Sequence, residues 1–381
     1  MDSNAKPQIL AIDCVRFASA SLVVAFHYLA IFPLAASSAT RFYDPGLSLP
    51  GGAAGLGWFG WVGVEIFFIV SGYVIAMSAA TAGQASFLRR RALRLAPAAW
   101  VCASATALVL LAGSTLTPGA IGIHWLRSIF FIPFGAQIDT AYWTLGIELC
   151  FYLFVALWLR EGRDNAPRIE RVGLGIGLLS AAYWTVAILA GLSPDQAAKT
   201  PFQLLLMPHG AFFALGIALW SIRARGATAT RIALAALAVA TGMVEIWFRT
   251  KTMVDVAGAD PNPAAPILAF GIAIIVISNA HLLQRPLART IGAGRLATIG
   301  RMTYPLYLLN QNVGAAIIVL LCHAGVPGWA AMLAAALTVL AMAYGVAVVV
   351  EPTARRWLAA ILSSRRGPVR DIPPSASPRA G

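Results

Sequence analysis

The sequence predicts an all-α polytopic membrane protein with about ten transmembrane helices and both termini cytoplasmic. Three observations carry that reading. Of 381 residues, 59% are hydrophobic and only 11% charged, and the mean hydropathy is +0.76; a soluble domain of this length carries roughly twice the charged fraction. The apolar residues gather into runs of about twenty, the length that crosses a hydrocarbon core of about 30 Å. The arginines alternate between loops as the positive-inside rule requires.

The expected spans lie near 9–32, 58–80, 95–113, 141–159, 172–192, 202–222, 231–248, 265–283, 303–323 and 329–350. The stretch 121–134 is too short to cross and reads as re-entrant or interfacial. The first run has some features of a cleaved leader, with Lys6 before it and the small residues Ala35-Ala36-Ser37-Ser38-Ala39 after it. Asp13 and Arg16 interrupt its apolar stretch, so it is expected to stay as a first span. Loops after even-numbered spans hold Arg89, Arg90, Arg91 and Arg94, then Arg160, Arg163, Arg168 and Arg171, then Arg223, Arg225 and Arg231. Arg285, Arg289, Arg295 and Arg301 follow, while the opposite loops hold only Arg41, Arg127, Lys199, Arg249 and Lys251. A miscounted span would scramble this alternation. One membrane-embedded domain is therefore expected over 1–362, followed by a basic, Pro- and Ser-rich disordered cytoplasmic tail at 363–381.

Lys plus Arg outnumber Asp plus Glu by 28 to 15, a net charge of +13. The excess sits at span ends and in the tail, without an aromatic-interleaved basic domain, which argues against nucleic acid as a partner. Cys14, Cys102, Cys150 and Cys322 all fall inside spans without metal-ligand spacing and read as small buried hydrophobes. No metal cluster, phosphate-cradling glycine loop or nucleophile elbow is visible.

Ionisable groups at membrane depth are costly and mark function by default. On the first span Asp13 and Arg16 are three residues apart and share a face. His27, eleven residues after Arg16, returns to within about 20° of that face, roughly 16 Å along the axis. One alternative is an ion pair that only fixes packing. By counted depth, Glu65 and Glu148 reach the level of His27 in the outer half, and a carboxylate beside an imidazole is a general-base arrangement. Tyr307 and Asn310 are expected near the depth of Arg16, where a snorkelling tyrosine and a helix-gluing amide are the plainer readings. Arg91 and Arg94 share a face at the inner end of the third span, as anchors or as an anion site. His124, His209, His281 and His323 lack matched partners in sequence and read as structural.

Several of these segments together resemble the integral-membrane acyltransferase family 3, which includes polysaccharide and sugar O-acyltransferases. Asp13, Arg16 and His27 resemble its opening, and Gly63-Val64-Glu65-Ile66-Phe67-Phe68-Ile69-Val70-Ser71-Gly72 its second-span pattern. The arginine run through Arg91, Arg94 and Pro97 is similar to its Arg-x-x-Arg segment, and Trp143-Thr144 through Glu148, Phe151 and Tyr152 to a further motif. The late Gly300…Thr303-Tyr304…Tyr307-Leu308 and the closing Glu351-Pro352 complete the order. One position departs: the family usually carries a histidine where this chain has Asn310, which leaves His27 as the motif histidine for base chemistry.

The resemblance implies transfer of an acyl group, most often acetyl, from cytoplasmic acyl-CoA (acetyl-CoA) to a sugar hydroxyl. The enzyme would sit in a bacterial-type inner membrane among lipid, with acyl-CoA and a carbohydrate acceptor as partners and no metal. His27, with Glu148 or Glu65, would be catalytic. Arg16, Arg91 and Arg94 would bind the CoA phosphates, and Tyr142, Trp143, Tyr307 and Asn310 would contact the acceptor. The rival readings are a secondary transporter, for which neither paired repeats nor Gly/Pro-broken helices in corresponding halves are evident in sequence, and a non-catalytic member of the family.

Overall fold

A computed structural model describes residues 9–32, 54–193, 196, 200–254 and 261–364, and every regular element among them is helical. Helix α1 (Leu10–Ala25) continues through a widened turn, Phe26–Ile31. It is followed by α2 (Val62–Ala79), α3 (Gln84–Gly113), the short α4 (Pro118–Ile129), α5 (Trp143–Trp158) and α6 (Ala166–Leu189). Next come α7 (Gly210–Arg225), α8 (Ala229–Lys251), α9 (Ala264–Ser278) and α10 (Ala280–Thr290). The chain ends in α11 (Ala293–Leu309), α12 (Asn312–His323), α13 (Gly328–Gly345) and α14 (Glu351–Ser364). Residues Lys6, 35–39, Arg41 and Lys199 lie outside the described residues, as does the expected tail from 365 onward.

Each expected run has a helical counterpart, but the count differs from ten. Seven helical stretches among the described residues are long and apolar enough to cross a membrane. The count rises to nine if α9 with α10, bent by 86°, and α11 with α12, bent by 69°, each form one span. The remaining run, 202–222, becomes α7, which has only 16 residues. Both bent pairs lie in the second half of the chain and neither breaks at Gly or Pro, so they are not the Gly/Pro-broken helices in corresponding halves that a transporter would show. Their breaks fall at Asn279 and at Asn310–Gln311, where polar side chains replace the lost backbone bonds.

The stretch 121–134 forms α4 and the turn after it. Pro118 opens the helix behind Thr117, whose hydroxyl accepts from the amide of Ala120 at 3.3 Å. The helix is fastened to α3 by Trp125 Nε1 donating to Ser104 Oγ at 3.1 Å, and by Trp100 Nε1 donating to the Ile129 carbonyl at 2.8 Å. It is too short to cross the bilayer.

Helix α7 explains why its length suffices. It is apolar around its whole circumference, and Ala211, Phe212, Phe213, Ala214, Leu215 and Ile217 are fully buried. A helix of that kind belongs inside a bundle rather than at its lipid face. It packs against α2, α6 and α8. The approach to α2 is close enough that only glycine fits: a Cβ on Gly216 would meet the Ile69 carbonyl, and one on Gly72 would meet the Phe213 carbonyl. Small residues at such crossings let the helix backbones touch, the usual source of packing energy where lipid competes for apolar surface. Phe213 then stacks on Phe151 of α5 at 4.3 Å between ring centroids and against Phe68 of α2 at 4.7 Å.

Around this post, α1 lies between α2 and α11. Its Asp13 side chain is buried against Gly300 of α11, with no room for a larger residue there. These contacts fix the relative depth of α1, α2 and α11, which carry most of the polar residues singled out in the sequence. Gly216→Ala is expected to lower the stability of the detergent-purified protein by about 1–3 kcal/mol, since the obstructing atoms are backbone. Thermal unfolding checks this; an unchanged midpoint would mean that α2 and α7 can part without cost.

Candidate active site

Two cavities open inside the bundle, and they share Val64 and Tyr307 as wall residues. The first, of about 760 Å³, is bordered by Arg16 of α1, Arg91 and Arg94 of α3, and Glu148 and Tyr152 of α5. Arg91 and Arg94 reach it from one face because they are three apart on a helix. The Arg91 guanidinium lies 5.7 Å from the Phe87 ring centroid and 6.0 Å from that of Tyr152. Its Nε and the hydroxyl of Tyr304, also on this cavity, are buried without a hydrogen-bond partner. Three guanidiniums on one cavity, Arg91 with an unpartnered Nε, make a site for a multiply charged anion, because guanidinium forks match phosphate oxygens.

Glu148 belongs to this cavity and not beside His27, which corrects the counted-depth reading. Its Oε1 accepts from Ser71 Oγ at 2.8 Å and from the Tyr152 hydroxyl. Within electrostatic reach of Arg16 stand Asp13, Glu148 and Arg94. The carboxylate therefore partly balances the arginines. Ser71 and Tyr152 were quoted in sequence only as motif letters; their roles appear when α2 and α5 are seen side by side.

The second cavity, of about 650 Å³, is bordered by His27, Trp61, Thr140, Trp143, Arg249 and Gln311. His27 Nδ1 stands 2.5 Å from Asn310 Oδ1. The Asn310 amide is oriented by its own helix: Nδ2 donates to the Tyr307 carbonyl at 2.7 Å and to that of Leu306 at 3.3 Å. Its Oδ1 is thus the acceptor, and His27 Nδ1 must carry the proton. The imidazole Nε2 is left as the basic nitrogen. The ring is stacked on Phe32, 9° from parallel with centroids 6.2 Å apart.

Asn310 was expected beside Arg16 and lies instead beside His27. The expected ninth span began at 303, whereas α11 begins at Ala293. Those ten extra residues place Asn310 about 15 Å farther along the helix. Tyr307 sits one turn earlier, on the wall common to both cavities, with its hydroxyl 3.1 Å from Thr144 Oγ1. Trp143 borders the His27 cavity, whereas Tyr142 is buried behind it and donates to the Ala99 carbonyl at 2.8 Å. Asp139, unnoticed in sequence, fixes the break after α11 by accepting from the Asn312 amide and side chain, each at 3.0 Å.

Glu65 does not approach His27 either. It is fully buried among residues of three helices. Arg249 Nη1 of α8 lies 3.6 Å from Glu65 Oε1, and Glu245 Oε1 of the same helix lies 2.6 Å from Nδ1 of His209, just before α7. The sequence reading of His209 as unpartnered is therefore corrected; His124 and His323 also have interactions in the fold. Glu245 and Arg249 are four apart in an apolar run, a signal of a buried charge pair that was available in sequence. Glu65, His209 and Glu245 offer donor atoms within 4.8 Å of one another, a spacing that fits a metal ion and that the chain order conceals. Arg249 already supplies a positive charge to that cluster.

Residues 9–350 match the family described as the acyltransferase domain. The chain belongs to acyltransferase family 3. Among relatives, it is similar to nodulation protein 10 of Rhizobium leguminosarum bv. viciae, 28% identical over 59% of this chain. It is also similar to acyltransferase MdmB of Streptomyces mycarofaciens, 26% identical over 67% of this chain. The matches span 66% of the nodulation protein, just under two thirds, and 68% of MdmB. No solved structure matches the chain. The family match thus covers both cavities and all the polar helices that border them. Asn310→Ala is expected to lower turnover by about tenfold or more while leaving the apparent affinity for the donor unchanged, because the imidazole loses the acceptor that fixes its tautomer. Asn310→His, which restores the residue usual in the family, should retain activity. Steady-state acyl transfer by purified variants checks both.

Proposed function

We propose that this protein moves an acyl group, acetyl in the simplest case, from acyl-CoA to a hydroxyl of a carbohydrate acceptor. The observation that carries the proposal is the pair of cavities, one lined by arginines and one by His27, meeting at Tyr307 and Val64. The arginine cavity is cytoplasmic by the positive-inside rule, since Arg89, Arg90, Arg91 and Arg94 cluster at that end of α3. With that orientation both termini are cytoplasmic, and the membrane is the inner membrane of a bacterium. Arg91, Arg94 and Arg16 bind the CoA phosphates. The acyl–pantetheine arm follows the face of α1 toward His27, about 16 Å along the helix axis.

At the meeting point the chemistry is an acyl transfer from sulfur to oxygen. His27 Nε2 removes the proton of the acceptor hydroxyl as its oxygen attacks the thioester carbonyl carbon. The C–O bond forms, the C–S bond breaks, and the imidazolium returns the proton to the departing CoA sulfur. Thr144 Oγ1 donates to the Ala141 carbonyl at 2.9 Å, so the 3.1 Å contact is donated by the Tyr307 hydroxyl, which turns from Thr144 to the thioester carbonyl oxygen as that oxygen gathers charge. Asn310 holds the imidazole, and Trp143 with Gln311 borders the acceptor's space. A transporter would have its broken helices in corresponding halves, and family membership and the built anion cavity favour acyl transfer.

His27→Ala is expected to reduce acyl transfer by about 10²- to 10⁴-fold at normal protein level. Arg91→Ala or Arg94→Ala should instead raise the KM for acyl-CoA by roughly ten- to a hundredfold, with less effect on turnover. Transfer of radiolabelled acetyl from acetyl-CoA in proteoliposomes checks both. Full activity of the His27 variant would remove it from the reaction, and transport of sugar without any acyl donor would favour the transporter.

A further inference from the structure

Among the described residues Arg249 is the one guanidinium on the His27 cavity, and the acyl-transfer scheme gives it no task. In sequence it looks like an anchoring cation at the end of a span. In the fold it is held from behind by the Glu65–His209–Glu245 cluster and faces a cavity walled by Trp61, Trp143 and Phe26. Its guanidinium lies 5.2 Å from the Trp61 ring centroid, which fixes its plane without consuming its donors. Among the described residues its one ion pair is the 3.6 Å approach to Glu65, beyond a good hydrogen bond, and its Nε is buried with no partner. About 29% of the side chain remains exposed, whereas Glu65 is fully buried.

The arrangement is that of a substrate-binding arginine with a carboxylate behind it. A buried charge with unused donors is expensive unless something completes it. The cluster pairs Glu245 with His209, 2.6 Å away, and brings only Glu65 to Arg249. It therefore keeps the guanidinium in place without neutralising the side turned to the cavity. Tryptophan walls suit the apolar faces of a sugar ring, and a guanidinium fork suits a carboxylate beside it.

We propose that Arg249 forms an anion subsite in the His27 cavity and that the acceptor is an acidic sugar, recognised through a carboxylate. This rests on the acyl-transfer reading for the word acceptor, but the binding itself does not. The test is direct titration of the full-length protein in nanodiscs with methyl glucuronide and with methyl glucoside, which differ in the carboxylate. The wild type is expected to bind the glucuronide on the order of ten- to a hundredfold more tightly. Arg249→Met should abolish that preference while leaving the glucoside unchanged. Because Arg249→Met strands the Glu65 charge, the double variant Glu65→Gln/Arg249→Met provides a charge-balanced form, and it too should show no preference.

Equal binding of the two sugars by the wild type would overturn the proposal, as would a preference surviving in the double variant. In the transfer assay, Arg249→Met should raise KM for acidic acceptors alone; an equal loss of turnover with acidic and neutral acceptors would make Arg249 part of the reacting centre and overturn a subsite role. A glucuronide preference without transfer to any hydroxyl would retain the subsite and reject the acyltransferase reading, so the two failures are distinguishable.

Discussion

The close crossing of α2 and α7 governs the rest of the molecule. Gly72 and Gly216 let the two backbones touch, and the fully buried α7 cannot shift without opening the centre of the bundle. Helix α2 in turn serves both sides of the interior. Ser71 reaches Glu148 on the arginine side, and Glu65 reaches the Arg249 cluster on the other. Those two residues are six apart, so they face different directions on one rigid helix. A single packing contact therefore sets the spacing between the two cavities, and Val64 on the same helix forms part of the wall between them.

The second governing constraint is the absence of water around freed backbone groups. A helix interrupted inside the bundle must have its carbonyls and amides satisfied from within. At the break after α11 this is done by the side chains of Asn310, Asn312 and Asp139. The amide that closes the helix end also holds His27. Structural repair and site geometry are thus the same set of bonds, which explains how an asparagine can stand where the family usually has histidine. A neutral amide provides the acceptor that Nδ1 needs and adds no second titrating group.

The fold class was legible because span length and arginine alternation are both set by the bilayer, and every expected run has its helix. The count was less so: α7 is short because it is surrounded by protein, and hydropathy does not distinguish burial in protein from burial in lipid. Within the site, Arg91 and Arg94, which share a helix face in sequence, both border one cavity. Residues on different helices were less legible. Equal counted depth suggested that Glu65 and Glu148 join His27, but depth alone leaves the rotation of each helix open. Asn310 was displaced because the start of α11 was set at the apolar run and not at Ala293. Glu245 and Arg249 carried a legible i,i+4 signal, whereas His209 became a partner only through the packing of α7 against α8.

The placement of Glu148 among arginines has a consequence for what that cavity can hold. Arg16, Arg91 and Arg94 without a counter-ion would repel one another in a medium of low dielectric. A carboxylate held by Ser71 and Tyr152 offsets one of the three charges and stays fixed while doing so. Asp13 beside Arg16 and Glu351 within reach of Arg94 offset further charge, so the cavity keeps a reduced positive excess for a ligand. Had Glu148 stood beside His27, as its counted depth suggested, the arginine cavity would carry more of the repulsion and the imidazole would face a charge in place of an amide. The observed exchange puts the negative charge where cations need balancing and the neutral amide where a proton must leave and return. The two cavities are thus specialised by which polar partner each receives, and the Tyr307 hydroxyl, bonded to Thr144, stands on the wall they share.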